Sequence, residues 1–166
     1  MARRILLLSD THGYIDDKIL KYCSEAEEVW HAGDIGSYEV TEKIKKVSFL
    51  RAVYGNIDDK DIRSEFPLDL KFMVEGVGIW MTHIGGAPYR YDQRIKTKLT
   101  QAPPKLFICG HSHILKVQFD KKLKLLFMNP GAAGNHGFHK VKTMLRFEID
   151  KTEIKNLEII EIKRGN

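Results

Sequence analysis

Cysteine is scarce in this chain. Cys23 and Cys109 are the only two among 166 residues, and they are too far apart in sequence to form a C-x-x-C pair. That excludes a disulfide framework and a zinc knuckle. Long hydrophobic runs are missing too: stretches such as Ile5 to Leu8 fall far short of the roughly 20 apolar residues a membrane span needs. The basic start, Met1-Ala2-Arg3-Arg4, leads into an apolar stretch that ends at Ser9-Asp10, too short for a signal peptide. There is no internal repeat, low-complexity tract or linker. Nothing has the pattern of a helix-turn-helix, a ribonucleoprotein motif or a zinc finger. The chain therefore reads as cytoplasmic, with no membrane partner.

What is present is ordinary for a folded protein. Hydrophobic residues make up 43% and charged residues 30%, which argues against intrinsic disorder. The length suits one domain spanning residues 1–166 with a sizeable core. Lysine and arginine outnumber the acids 27 to 22, a net charge of +5. These cations are scattered, with Lys43, Lys45 and Lys46 in one segment, Lys121, Lys122 and Lys124 in another, and Lys151 and Lys155 near the end. Scatter of this kind reads as a solvated surface, and a nucleic-acid partner is not expected.

Short apolar runs and amphipathic stretches alternate through the first half. Ile5–Leu8 reads as a strand, Ile15–Cys23 as a helix, Glu28–Trp30 as a strand, Tyr38–Lys46 as a helix and Phe49–Tyr54 as a strand. Such alternation implies right-handed crossovers and a parallel core. Leu68–Lys71, Phe72–Val74 and Val77–Thr82 read as strands around a hairpin turn at Glu75-Gly76. A helix over Asp92–Leu99 is closed by Ala102-Pro103-Pro104. Strand-like runs follow at Leu106–Cys109, Ile114–Phe119, Leu123–Met128, Val141–Ile149 and Leu157–Ile162, with a second hairpin turn at Asp120-Lys121-Lys122. The picture is an α/β domain whose sheet is extended or doubled by antiparallel strands.

Residues able to bind metal fall at the ends of these runs. Asp10 and His12 follow the first strand, Asp34 the second and Asn56 the third. His83 follows Ile79–Thr82, and His111 with His113 follow Phe107–Cys109. In an open α/β sheet the carboxyl ends of strands share one edge, where ligands bind. Seven oxygen and imidazole donors would converge there, and with Asp34 giving one oxygen to each of two cations they make two four-donor sets. Such sets leave positions for water and substrate, and without thiolate they suit Mn, Fe, Zn, Co or Ni better than Ca or Mg. Gly33, Gly55 and Gly110 each precede a proposed ligand, where a missing Cβ allows a sharp turn and close approach.

The ordered motifs Asp10-Thr11-His12, Gly33-Asp34, Gly55-Asn56, lone His83 and Gly110-His111-Ser112-His113 resemble those of the calcineurin-like metallophosphoesterase superfamily. The short chain, Gly55-Asn56-Ile57-Asp58 and Asn129-Pro130-Gly131 resemble its small phosphodiesterase branch from bacteria and archaea, so the match runs from Asp10 to Gly131. The resemblance implies a four-layer αββα sandwich of two mixed β-sheets. It implies a first ion held by Asp10, His12, Asp34 and His113, and a second held by Asp34, Asn56, His83 and His111. Two divalent metal ions are the expected cofactors, Mn²⁺ first, with Ni²⁺, Zn²⁺, Fe²⁺ and Co²⁺ as alternatives. Asp34, Asn56 and His111 would be catalytic, and a hydroxide bridging the ions would be the nucleophile.

One departure matters. Many members of the superfamily carry a histidine after Gly-Asn that assists the leaving group, and this chain has Ile57. A positioned general acid typically contributes about 10²–10⁴-fold. Its absence argues for a small-molecule phosphodiester substrate or for a modest catalyst. A rival reading is a scaffold: the retromer scaffold subunit resembles this fold and holds partners, although a scaffold has no need of all seven donors. Extra DNA-binding elements of larger nucleases have little room here. Edge strands leave homo-oligomerisation open.

Other residues carry blander expectations. Asp10 alone could be a helix N-cap, and His83 alone a core or loop histidine. His31 is read as a buried structural histidine or as a residue orienting a ligand. His136 and His139 are read as surface residues of a glycine-rich loop, with His136 a substitute proton donor as the alternative. Arg90 and Arg94 are read as solvated helix positions, with phosphate contact the alternative. Cys109, Trp30 and Trp80 belong to the expected core.

Overall fold

The structure, a computed structural model, describes residues 2–164. In chain order the first half contains β1 (Arg3–Leu8), α1 (Asp17–Glu25), β2 (Glu28–His31), α2 (Tyr38–Lys45), β3 (Phe49–Ala52) and α3 (Lys60–Glu65). Then come β4 (Asp69–Val74), β5 (Val77–Thr82), the short β6 (Gly86–Ala87) and β7 (Arg90–Tyr91), and α4 (Gln93–Gln101). The chain ends with β8 (Leu106–Ile108), β9 (Leu115–Asp120), β10 (Leu125–Pro130), β11 (Val141–Asp150) and β12 (Glu153–Lys163).

Two five-stranded mixed sheets result, in the orders β12-β11-β1-β2-β3 and β4-β5-β8-β10-β9. Strands β1, β2 and β3 run parallel, as do β5, β8 and β10, and antiparallel strands close both edges of the second sheet and one edge of the first. The strand period of two sorts the side chains into layers. Ile5 and Leu7 face the second sheet in a core with Trp30, Ile79, Met81 and Ile108. Leu6 and Leu8 face the other way, against Ile19 and Cys23 of α1 and Val40 and Ile44 of α2. On the far side, Trp80, Phe107 and Phe127 pack against Ile95 and Leu99 of α4. Helix, sheet, sheet, helix is the four-layer sandwich, and β1 reads as a continuous apolar run because both of its faces are covered.

Local chemistry sets the boundaries. Asp16 caps α1, its carboxylate accepting from Ile19 N at 2.8 Å, so this helix starts later than Ile15 and Asp10 is not its cap. Asp92 caps α4 through Arg94 N. Helix α3, capped by Asp59, escapes the sequence pattern because its six residues bury only Ile62. Leu68–Lys71 and Phe72–Val74 merge into β4, β3 stops at Ala52, and β12 begins earlier than Leu157, at Glu153. Arg90 lies on β7 rather than on a helix. Cys23, Cys109, Trp30 and Trp80 are buried.

Candidate metal centre

The parallel strands deliver the chemistry to one place. Asp10 and His12 follow β1, Asp34 follows β2 and Asn56 follows β3, while His83 follows β5 and His111 and His113 follow β8. The site thus straddles the carboxyl ends of two sheets, not one. Two groups form, Asp10 with His12 and His113, and Asp34 with His83 and His111, and in each the candidate ligand atoms lie within 4.8 Å of one another. Asn56 joins the second group, with its Oδ1 accepting from His111 Nδ1 at 3.1 Å.

The backbone that holds these residues is unusual. Asp10, His12, Asp34, His111 and His113 all have positive φ, between 47° and 71°. Non-glycine residues avoid this region, at a cost of roughly 1–3 kcal/mol each. Cross-loop hydrogen bonds hold them there: Asp10 N donates to Gly33 O, His12 N to Asp34 O and Gly110 N to His83 O, all at 2.9–3.0 Å. Of the three glycines before ligands, only Gly33 has a positive φ, +101°. Gly55 and Gly110 serve by leaving space. A Cβ on Gly55 would sit 2.1 Å from Asp34 Oδ1, and one on Gly110 would sit 2.2 Å from Ser9 Oγ and 2.8 Å from Asp10 Oδ2. The close approach is therefore to neighbouring side chains of the site.

Hydrogen bonds leave one face of each donor aimed inward. Asp10 Oδ2 accepts from Ser9 Oγ and His111 N, while Oδ1 lies 3.1 Å from His113 Nε2 without hydrogen-bond geometry. His83 Nδ1 donates to Ala32 O at 2.8 Å, which fixes its tautomer and leaves Nε2 facing the site. Asp34 Oδ1 is taken by Ile57 N, so a single atom, Oδ2, reaches both groups, 3.4 Å from His12 Nε2 and 3.2 Å from His83 Nε2.

The electrostatics fit a bound cation. Asp10 Oδ1, His12 Nε2 and His83 Nε2 are buried without a hydrogen-bond partner, an arrangement that is costly unless something binds them. Among the described residues no lysine or arginine pairs with Asp10 or Asp34. Burial raises the Asp10 carboxyl, but the imidazoles of His113, His12 and His83 outweigh it and hold it far below the usual carboxylate range. Asp34 is lowered in the same way, chiefly by His83 against burial. Burial pulls the His83 ring down, but Asp34 and Asp10 hold it above its ordinary value, and Asp10 raises His113. A metal ion would take the place of those protons.

Three further residues support the loops of the site: His31, and Asp58 and Asn129 of the motifs Gly55-Asn56-Ile57-Asp58 and Asn129-Pro130-Gly131, whose roles the motifs alone did not give. Asp58 is buried, and its carboxylate accepts from Gly36 N, Gly55 N and Ile35 N at 2.8–3.1 Å, tying the loop after β2 to the loop after β3. Asn129 Nδ2 donates to Gly110 O and Ser112 Oγ, and its Oδ1 accepts from Gly131 N, so this side chain braces the loop of His111 and His113. Its polar side chain is buried near the end of an apolar strand, at the position that the Asn129-Pro130-Gly131 motif marks. His31 orients the loops: Thr11 Oγ1 gives its proton to Ile35 O, so His31 Nε2 donates to Thr11, while Nδ1 accepts from Gly33 N. That ring is neutral, and burial pushes its pKa down to about 4.

The remaining candidates separate. His136 stacks on His12 with ring centroids 4.5 Å apart, and His139 lies edge-on to His113 at 5.5 Å, so their loop does border the site. Arg94 is committed elsewhere, forked onto Asp69 and bonded to Thr82. No helix of the described residues is long and apolar enough to cross a membrane.

Known proteins resemble this chain in sequence and in fold. A sequence profile of the calcineurin-like phosphoesterase superfamily domain matches residues 4–152. A probable metallophosphoesterase of Methanothermobacter thermautotrophicus is 24% identical over 132 residues, 76% of this chain and 74% of that protein. Vps29 of Entamoeba histolytica complexed with Zn²⁺ superposes with a TM-score of 0.74 at 17% identity, over 98% of this chain and 99% of that one. A novel archaeal phosphodiesterase gives a TM-score of 0.72 at 20% identity, over 96% and 99%. At these identities the two structures establish the fold alone.

Proposed function

The chain belongs to the calcineurin-like phosphoesterase superfamily, and from that membership we propose that it is a dinuclear phosphodiesterase acting on a small-molecule diester in the cytoplasm. One observation carries the reading: three buried donor atoms have no partner, His12 Nε2 and His83 Nε2 beside Asp34 Oδ2, and Asp10 Oδ1 3.8–3.9 Å from those two nitrogens. Asp10, His12, Asp34 and His113 would hold one divalent ion, and Asp34, Asn56, His83 and His111 the other. Mn²⁺ is the first candidate; Ni²⁺, Zn²⁺, Fe²⁺ and Co²⁺ suit the same carboxylate and imidazole donors.

When bound, the ions supply charge neutralisation for the phosphoryl oxygens and acidity for the attacking water. The protein supplies position. Asp34 is pinned by Ile57 N, so its free oxygen stays aimed at both groups. Asn56 and His111, at the exposed mouth of the site, hold each other through Asn56 Oδ1 and His111 Nδ1, which leaves Asn56 Nδ2 free to donate to a phosphoryl oxygen. Ile57 has no proton to give a leaving group, so the group takes one from solvent and good leaving groups are favoured. Support for a diester substrate comes from the archaeal phosphodiesterase among the structural neighbours.

The test is hydrolysis of bis-p-nitrophenyl phosphate beside p-nitrophenyl phosphate, with chelator-stripped protein and added Mn²⁺, Ni²⁺, Co²⁺ or Zn²⁺. Metal-dependent cleavage favouring the diester is expected, with turnover lost in Asp34→Ala and His111→Ala. Unchanged turnover in either variant would sink the assignment. The scaffold reading draws support from the likeness to Vps29. It gains if neither substrate is cleaved with any of these metals.

A further inference from the structure

Beside the candidate metal centre lies a cavity of about 240 Å³ lined by Arg90, Ser112, Ile114, Lys116, Phe127 and Asn129. Its wall belongs to the same loop as the site: Ser112 stands between His111 and His113, and Asn129 bonds both Gly110 O and Ser112 Oγ. Lys116 is paired with Asn129 across β9 and β10, and Arg90 projects from the β6–β7 ribbon opposite Ala87. Among the described residues no acidic side chain lines the cavity.

Every arginine of the chain other than Arg90 hydrogen-bonds to a carboxylate or a carbonyl. Among the described residues Arg90 has no such partner, and neither has Lys116. Two positive charges without a counter-charge, with the Ser112 hydroxyl in the same lining, match a dianion. The volume is below the roughly 300–1,000 Å³ of a pocket that takes a whole ligand, so it suits one arm of a substrate whose reacting part sits elsewhere.

We propose that this cavity is a second anion subsite and that the substrate is a phosphodiester carrying a terminal phosphate on one arm. The diester would lie over the metal centre, and the terminal phosphate would be held by Arg90, Lys116 and the Ser112 hydroxyl. Ile114 and Phe127 would cover the carbon skeleton between. The proposal rests on the phosphodiesterase reading for the diester half, while the anion site itself stands without it.

Two measurements keep these apart. First, chelator-treated ¹⁵N-labelled protein is titrated with inorganic phosphate. Shifts are expected at the Ser112 and Lys116 amides and the Arg90 side chain, and their loss in the Arg90→Gln/Lys116→Gln protein. No shift in the unsubstituted protein overturns the subsite. Second, the Mn²⁺-loaded enzyme is given adenylyl-(3′→5′)-adenosine with and without a 5′-terminal phosphate, and diester cleavage is followed by chromatography. The phosphorylated dinucleotide should have a kcat/KM roughly tenfold or more higher, in line with charge-assisted hydrogen bonds. That ratio should fall towards one in either single variant. Equal kcat/KM in the unsubstituted enzyme, or a ratio unchanged in the variants, overturns the substrate class. Phosphate shifts without cleavage of any diester would support the subsite and defeat the phosphodiesterase reading.

Discussion

Gly55→Ala isolates the close packing on which the site depends. The added Cβ would lie 2.1 Å from Asp34 Oδ1 and 2.3 Å from Asp34 N, where ordinary contact is 3.4–4 Å. The carboxylate can rotate away, but the backbone nitrogen cannot, so the loops after β2 and β3 must part by about 1 Å. Overpacking of this kind costs about 1–3 kcal/mol, and a stranded Ile57 N–H adds about 1–3 kcal/mol once Asp34 leaves it. The sum, roughly 2–6 kcal/mol, is a large share of an ordinary folding stability. Gly78→Ala is the control, because its Cβ would meet only Met73 Sδ, at 3.4 Å, and should change stability by no more than about 0.5 kcal/mol. Urea unfolding of chelator-treated protein reads the first effect. Calorimetric titration with Mn²⁺ reads the second, an affinity at least about 100-fold weaker because a candidate ligand is displaced. Equal unfolding midpoints and equal Mn²⁺ affinity in Gly55→Ala and the unsubstituted protein would refute the reasoning.

Asp58→Ala should cost about 3 kcal/mol or more, since three buried backbone N–H groups lose their acceptor; a urea midpoint unchanged from the unsubstituted protein would show that the clamp is dispensable. Stability of the chelator-treated protein should peak near pH 6.5. The His31 pKa of about 4 lies below its ordinary 6.5, so the unfolded chain takes up the proton first and stability is lost as pH falls through that window, with the depressed Asp10 and Asp34 carboxyls adding to the loss further down. His83, held up by Asp34 and Asp10 against burial, and His113, held up by Asp10, contribute stability present below 6.5 and lost as pH rises through their folded values. Denaturation across pH 4–9 checks this, and a profile still rising above pH 7 would contradict it. Ile57→His places a proton donor next to Asp34. It should raise turnover of a phenyl ester over a p-nitrophenyl ester by about tenfold or more, below the 10²–10⁴ range of an optimised acid; an unchanged ratio would mean that leaving-group protonation does not limit the reaction.

The sequence by itself determined which residues meet. Asp10, His12, Asp34, Asn56, His83, His111 and His113 each follow an apolar run, and parallel strands place such ends along one edge of a sheet, although it is the packing of two sheets that brings the two edges together. The alternation of strand and helix, and the hairpin at Glu75-Gly76, were legible because period and turn chemistry are local. Tertiary structure decided how the site is held. Five of those seven residues sit at positive φ, a conformation their side chains disfavour and that only hydrogen bonds between loops distant in sequence enforce. The motifs Gly55-Asn56-Ile57-Asp58 and Asn129-Pro130-Gly131 mark Asp58 and Asn129, but what these side chains do emerges only when their hydrogen-bond partners arrive from other loops. Gly55 and Gly110 look like turn residues, yet their φ is ordinary. What they provide is room for a carboxylate and a hydroxyl from loops more than twenty residues away, and such space exists only once the strands have packed.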